Sequence, residues 1–132
     1  MTLVDSNVLI DLLQDDPRWA AWSERQLFEA QQVGPLLINP VGYAELTPAH
    51  DSMAELDKFL AQCKISMQPL TRQAAYFAGQ AFLAYRRRKG SKTGVLPDFF
   101  IGAQAQTEGW ALLTRDAGRY KTYFPSVKLI CP

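Results

Sequence analysis

The sequence predicts a three-layer α/β/α domain with a central parallel sheet, and three observations carry that expectation. Short apolar runs, Leu3-Val4, Leu36-Leu37-Ile38 and Ala111-Leu112-Leu113, are too brief for helices and each stops at a polar corner. Between them lie longer stretches whose apolar residues recur at helical spacing. Strands that alternate with helices in this way pair in parallel, with helices covering both faces of the sheet. The 132 residues suit one domain with one core, and no linker, repeat or low-complexity tract divides residues 1–132.

The opening stretch Leu3-Val4-Asp5-Ser6-Asn7 reads as a buried strand and a polar corner, after which Val8, Leu9, Leu12 and Leu13 mark a helix. Asp5 at that corner is either a helix cap or a metal ligand. Asp16-Pro17 is a helix start, with Trp19, Trp22, Leu27, Ala30 and Val33 on one face up to Gly34-Pro35. The two tryptophans suit core or a subunit contact better than a base-stacking platform. Leu36–Ile38 is the second strand, closing at Asn39-Pro40 on a helix through Val41, Tyr43, Ala44 and Leu46 with Glu45 in its second turn. Thr47-Pro48 ends it, and His50 reads as a surface histidine.

Asp51-Ser52 caps a further helix with an apolar stripe of Met53, Leu56, Phe59, Leu60 and Cys63. Ile65 to Leu70 is the third strand. Thr71 opens a long helix whose Ala74, Phe77, Ala78, Ala81, Phe82 and Tyr85 share a face, and whose small residues admit a close neighbour. It ends in Arg86-Arg87-Arg88-Lys89, followed by Gly90 to Gly94 with Lys92. This basic collar is either a solvated helix end, suited to the helix dipole, or a set of phosphate contacts. Pro97-Asp98 leads into an apolar helix through Phe99, Phe100, Ile101, Ala103 and Ala105, which Asp98 can cap. Ala111–Leu113 is the fourth strand, ending in Thr114-Arg115-Asp116. Tyr120 and Phe124 pack a short helix, and Val127 to Ile130 forms an edge strand.

Composition narrows the class. Hydrophobic residues make up 48% and charged residues 20%, the balance of a globular chain. No apolar run approaches the roughly 20 residues of a membrane span, and Asp5 interrupts any secretory leader, so a cytoplasmic location and no membrane partner are expected. Cys63 and Cys131 are distant and read as buried free thiols. A net charge of +1 neither requires nor excludes a nucleic-acid partner. No glycine-rich phosphate loop points to an ATPase.

The chemistry follows from where the acids fall. With the ends of strands one, two and four on one edge, Asp5, Glu45, Asp98 and Asp116 meet in a single cleft. Two unit charges at 4 Å repel by about 4 kcal/mol at an effective dielectric near 20, so four gathered carboxylates call for a cation. Oxygen-only ligands favour Mg²⁺ or Mn²⁺, one ion or two, which activate water and stabilise the leaving oxygen of a phosphodiester. Ser6, Asn7 and Thr114 add neutral hydrogen bonds that orient carboxylates or waters.

Four segments together, Val4-Asp5-Ser6-Asn7-Val8-Leu9-Ile10, Glu45, Leu96-Pro97-Asp98-Phe99-Phe100-Ile101-Gly102-Ala103 and Leu113-Thr114-Arg115-Asp116, make the chain resemble a PIN-domain ribonuclease, and within that family a VapC-type toxin of a toxin–antitoxin pair. The resemblance spans nearly the whole chain. It implies a PIN-like fold and a metal-dependent endoribonuclease in which Asp5, Glu45, Asp98 and Asp116 are catalytic and Asp5, Asp98 and Asp116 bind metal, with Thr114 and Asn7 in support. It further implies an RNA substrate, a homodimer, and a VapB-like antitoxin that inserts a basic residue into the acidic cleft. The Trp19/Trp22 helix and the small-residue face of the Phe77–Tyr85 helix are candidates for dimer or antitoxin contact. Two other readings remain: a Mg²⁺-dependent phosphohydrolase or phospho-acceptor, which needs a Lys that no strand end supplies, and a non-catalytic RNA-binding module that uses the basic collar alone.

Overall fold

A computed structural model describes residues 1–92 and 94–132; Thr93, within the Gly90–Gly94 stretch, lies outside them. Five strands, β1 (Thr2–Val4), β2 (Leu36–Ile38), β3 (Ile65–Met67), β4 (Ala111–Leu113) and β5 (Leu129–Ile130), form one parallel sheet in the order β3-β2-β1-β4-β5. Among the described residues, seven α-helices and a 3-10 turn (Thr47–Ala49) connect and cover them: α1 (Ser6–Leu13), α2 (Ala20–Val33), α3 (Pro40–Leu46), α4 (Met53–Gln62), α5 (Arg72–Arg87), α6 (Pro97–Glu108) and α7 (Gly118–Tyr123).

Alternation along the strands divides the core into two layers. Leu3, Leu37 and Leu112 face one way and pack with Ala78, Ala81, Phe99, Ile101, Ala103, Tyr120 and Phe124. Val4, Leu36, Ile38 and Leu113 face the other way and meet Val8, Leu9, Leu27, Leu46, Leu56 and Leu60. Burial on both faces is why the strands read as unbroken apolar runs. Small residues bring elements together here: a Cβ at Gly102 would collide with the Phe124 ring.

The chain walks from β1 out to β2 and β3, then returns to the far side of β1 for β4 and β5. The strand order therefore reverses between β1 and β4, and a crevice at the carboxyl ends of the strands opens at such a switch. Register sharpens the point. Val4 pairs with Leu113, so the next residues, Asp5 and Thr114, leave the sheet side by side.

Several expectations need correction. The second helix starts at Ala20 and not Pro17, because Asp16 Oδ1 accepts the amides of Arg18 (2.9 Å) and Trp19 (2.8 Å) and closes a separate turn. Val33, expected on the buried face, is 87% exposed, and Met53, placed in an apolar stripe, is 72% exposed. Met53 directly follows the cap Ser52, whose Oγ accepts Glu55 N at 3.1 Å, and the buried face of α4 begins only at Leu56. The third strand stops at Met67, since Pro69 has no amide to continue the ladder. The last strand covers only Leu129–Ile130, with Val127 buried from a turn. His50 is half-buried, its Nδ1 on Leu46 O at 3.0 Å and its ring against Phe59. Thr71 caps α5 as expected, accepting Ala74 N at 3.0 Å. Among the described residues, no helix is long and apolar enough to cross a membrane.

Candidate functional site

The β1/β4 crevice collects the polar residues that the strand ends carry. Asp5 N donates to Leu113 O at 2.9 Å, extending the ladder one residue beyond β1. Asp5 stands at the N-cap position of α1 but makes no capping bond. Its Oδ2 instead accepts from the Tyr120 hydroxyl (2.8 Å), Thr114 Oγ1 (2.9 Å) and Asn7 Nδ2 (3.3 Å). Its Oδ1 takes none of these side-chain donors, and the Asn7 backbone amide also favours the charged carboxylate, which is only 4% exposed.

Asp98 enters from the first turn of α6, where Leu96 occupies the N-cap position and Pro97 the first helical position. Its carboxylate caps nothing. Oδ1 lies 3.5 Å from the Tyr120 hydroxyl, and Oδ2 accepts from Arg119 Nη1 at 3.1 Å. Tyr120 thus joins two acids that are 93 residues apart in the chain. Glu45 comes from α3, a helix started by Asn39, whose Oδ1 accepts Gly42 N at 3.0 Å. Ser6 Oγ donates to Glu45 Oε1 at 2.9 Å, and the charges of Asp5 and Asp98 are felt at this carboxylate. The other face of Asn39 is fixed by Gln104, a buried amide that accepts from Asn39 Nδ2 (2.9 Å) and donates to Pro69 O (2.8 Å).

The acids disturb one another. Burial pushes the Asp5 carboxyl up, the Tyr120 and Thr114 hydrogen bonds oppose this, and the charge of Asp98 raises it further. Burial also raises Glu45; the Ser6 bond opposes this, while Asp5 and Asp98 add to the rise. The Tyr120 phenol is driven far upward by burial and by Asp5 and Asp98, so it remains a hydrogen-bond donor at any working pH.

Thr114 is fully buried and uses its single hydroxyl hydrogen on Asp5 while accepting from Asn7 Nδ2 (3.3 Å) and Asp116 N (3.1 Å). Asn7 Oδ1 in turn accepts Arg115 N at 3.1 Å. Asp116 is joined to this network through its backbone. Its exposed carboxylate accepts Gly118 N at 3.4 Å, at the start of α7, and shares no hydrogen-bond donor with the other three acids among the described residues. The structure therefore brings Asp5, Asp98 and Glu45 to one crevice and sets Asp116 at the rim.

Among the described residues, no three His, Cys, Asp or Glu side chains form a ready-made metal cage. A magnesium site does not need one: Mg²⁺ commonly takes one or two carboxylates and fills its other positions with water and phosphate. Asp5 and Asp98, on either side of the Tyr120 hydroxyl, supply such a pair, and an all-oxygen donor set suits Mg²⁺ or Mn²⁺ better than zinc.

The basic collar is not uniform. Arg86 Nη1 is tied to the carbonyls of Gly90 (3.2 Å) and Lys92 (2.8 Å), and the Arg88 guanidinium lies 5.5 Å from the centre of the Tyr123 ring. Arg87, Lys89 and the Lys92 side chain are exposed. Arg115 turns away from the acids: its Nε meets Asp11 Oδ2 at 2.8 Å, and Asp11, only 2% exposed, also accepts from Ser23 Oγ at 3.0 Å. Its guanidinium lies 5.6 Å from the Trp19 ring centre, and Trp19 meets Trp22 edge-on at 6.2 Å.

Sequence reasoning missed Arg119, Asp11 and the polar role of Tyr120. The signal was faint. Arg119 and Tyr120 follow Asp116 by one helical turn, and Asp11 is an acid inside the apolar run of α1.

A family profile described as PIN domain matches residues 2–125. No curated protein matches the chain in sequence. Among solved structures, VapBC2 from Rickettsia felis, bound to a DNA fragment from its promoter, superposes with a TM-score of 0.75 at 17% identity, covering 99% of this chain and 98% of that one. DNA-bound VapBC from Salmonella typhimurium gives 0.69 at 19% identity over 98% and 96% of the two chains. A toxin–antitoxin complex from Klebsiella pneumoniae gives 0.63 at 22% identity over 96% and 95%. At these identities the likeness is one of fold.

Proposed function

Because the chain belongs to the PIN domain family, we propose that it is a Mg²⁺- or Mn²⁺-dependent endoribonuclease of the VapC type, the toxin of a toxin–antitoxin pair. The observation that carries this reading is the crevice in which Asp5 and Asp98 share the Tyr120 hydroxyl, with Glu45 beside them. In this reading Asp5 and Asp98 hold the ion, and Asp116 bears on it from the rim. A bound ion supplies a water of lowered pKa and neutralises charge on the phosphodiester. Glu45 Oε2 takes the proton of the attacking water, a task for which its upward-shifted pKa suits it. Ser6 holds the other oxygen of Glu45, and Thr114 and Asn7 fix the Asp5 carboxylate. Arg87, Lys89 and Lys92 supply phosphate contacts along the flanking RNA.

The same acids suit an antitoxin whose basic side chain enters the crevice. Tyr76 and Leu83, exposed on α5, offer apolar surface for that partner or for a second copy in a homodimer.

The test is cleavage of single-stranded RNA with Mg²⁺ or Mn²⁺, set against EDTA. Asp98→Asn and Glu45→Gln should each abolish cleavage and leave the circular dichroism spectrum unchanged. Full cleavage by both variants, or cleavage that survives EDTA, would refute the assignment. Beryllofluoride trapped on Asp5 would point to a phospho-acceptor instead.

A further inference from the structure

Arg119 pairs with one of the crevice acids, Asp98, at 3.1 Å, and that pairing contributes little to the fold. The two side chains are 38% and 35% exposed, and ion pairs so open to water stabilise weakly. Yet the guanidinium is held in place. Its central carbon lies 5.8 Å from the centre of the Tyr85 ring and 5.9 Å from that of Phe99, so two aromatic faces hold it over Asp98. The neighbouring Tyr120 hydroxyl faces the other oxygen of the same carboxylate. Both oxygens of Asp98 are thus engaged by consecutive residues of α7.

A guanidinium and a divalent cation repel, so Asp98 cannot serve both at full strength. We infer that Arg119 is a built-in counterion, which yields Asp98 to the divalent cation and then contacts a non-bridging oxygen of the RNA phosphate at the same crevice. This inference rests on the nuclease reading above. Arginine suits the exchange, because its planar fork matches carboxylate and phosphate alike and its charge is permanent. The aromatic faces of Tyr85 and Phe99 keep it at the crevice whichever partner it serves.

The experiment compares wild type, Arg119→Met and Arg119→Lys, each checked by thermal melting. Methionine keeps an unbranched apolar stem against Tyr85 and Phe99 and removes the charge. Mn²⁺ binding to the metal-free, RNA-free protein is read by calorimetry, and kcat/KM is measured on single-stranded RNA. Arg119→Met should bind Mn²⁺ about two- to fivefold tighter, which is what losing an exposed competing ion pair is worth. Its kcat/KM should nevertheless fall by about tenfold or more, because a donor to the charged phosphate is gone. Arg119→Lys should return Mn²⁺ affinity toward wild type, because it restores the competing charge. Mn²⁺ binding in Arg119→Met that is unchanged or weaker overturns the inference, as does tighter binding with undiminished cleavage, or Arg119→Lys binding Mn²⁺ as tightly as Arg119→Met. Those results leave the nuclease reading standing. A wild-type protein that binds no Mn²⁺ removes both.

Discussion

Asp5→Asn takes one charge out of the crevice and leaves its hydrogen bonds in place. All three donors to Asp5, from Tyr120, Thr114 and Asn7, converge on Oδ2. An asparagine carbonyl oxygen can occupy that position, with its amide nitrogen where Oδ1 stood. The charge removed is an unfavourable one. The legs through the Tyr120 hydroxyl are 2.8 and 3.5 Å, so an Asp5 oxygen and an Asp98 oxygen lie no more than 6.3 Å apart. At about 6 Å and an effective dielectric near 20 their repulsion is about 3 kcal/mol. Asp98 is 35% exposed and faces Arg119, so solvent and that cation reduce the figure to about 1–2 kcal/mol. For a chain of this length that corresponds to a rise in Tm of about 3–8 °C in EDTA near neutral pH.

The pH dependence has a definite sign. Folding raises the Asp5 pKa above its ordinary value of 3.8, so the folded state binds the extra proton and wild-type stability falls as pH rises through the folded pKa. The advantage of Asp5→Asn therefore grows as pH rises through the raised Asp5 pKa and vanishes as pH drops toward 3.8. Thermal melts of both proteins in EDTA across that range are the assay, with RNA cleavage as the companion readout. An Asp5→Asn protein that melts at or below wild type at neutral pH would refute the claim that the acids are in electrostatic conflict.

Two further substitutions probe the groups that hold the crevice. Tyr120→Phe keeps the buried ring and removes the donor shared by Asp5 and Asp98. It should cost about 1–3 kcal/mol and weaken cleavage; the cost should shrink when Asp5 is already Asn, which a double-mutant cycle of melting curves would read as coupling. Arg115→Met leaves Asp11 charged and buried with Ser23 alone. Losing a buried pair's partner costs about 3–5 kcal/mol, and because Arg115 is 31% exposed we expect about 2 kcal/mol. Adding Asp11→Asn should recover most of it, and chemical denaturation of the single and double variants measures both.

The sheet was readable because its signal is local. A run such as Leu36-Leu37-Ile38, buried on both faces and closed by Asn39-Pro40, announces a parallel strand without help from distant residues. Asp5 and Glu45 were readable for the same reason, since each follows a strand end by a fixed number of residues. Asp98 was visible beside Pro97, though as a possible cap. What failed depended on direction. Whether Val33 or Met53 faces the core is decided by where the helix stops and by the neighbour it meets, and a stripe drawn on a helical wheel contains neither. Asp116 is correctly placed in the chain, but its side chain turns to the Gly118 amide because α7 begins there. Tyr120 was seen as an aromatic that packs, and it does pack; that its hydroxyl also reaches two carboxylates follows only from the angle at which α7 crosses the sheet edge.

The position of the site and its electrostatic conflict have a common origin. Five parallel strands put every carboxyl end on one edge, and the order reversal at β1/β4 opens the crevice there, so acids on successive connections are driven together. The same arrangement brings partial compensation. Asp5 stands at the N-terminal end of α1 and Asp98 in the first turn of α6, where helix dipoles favour negative charge. Each dipole contributes only about 0.3–1 kcal/mol near the surface, against a repulsion of about 3 kcal/mol before screening. Helix ends therefore cannot balance the acids alone. Donors to Asp5 and a counterion on Asp98 cover part of the remainder, and these are the roles that Tyr120 and Arg119 fill. Arg119 meets only one oxygen of one acid from an exposed position, and Asp5 keeps an upward-shifted pKa. The conflict left after every side chain has contributed is what a divalent cation, as proposed above, would relieve, and the rise in Tm on replacing Asp5 by Asn measures its size.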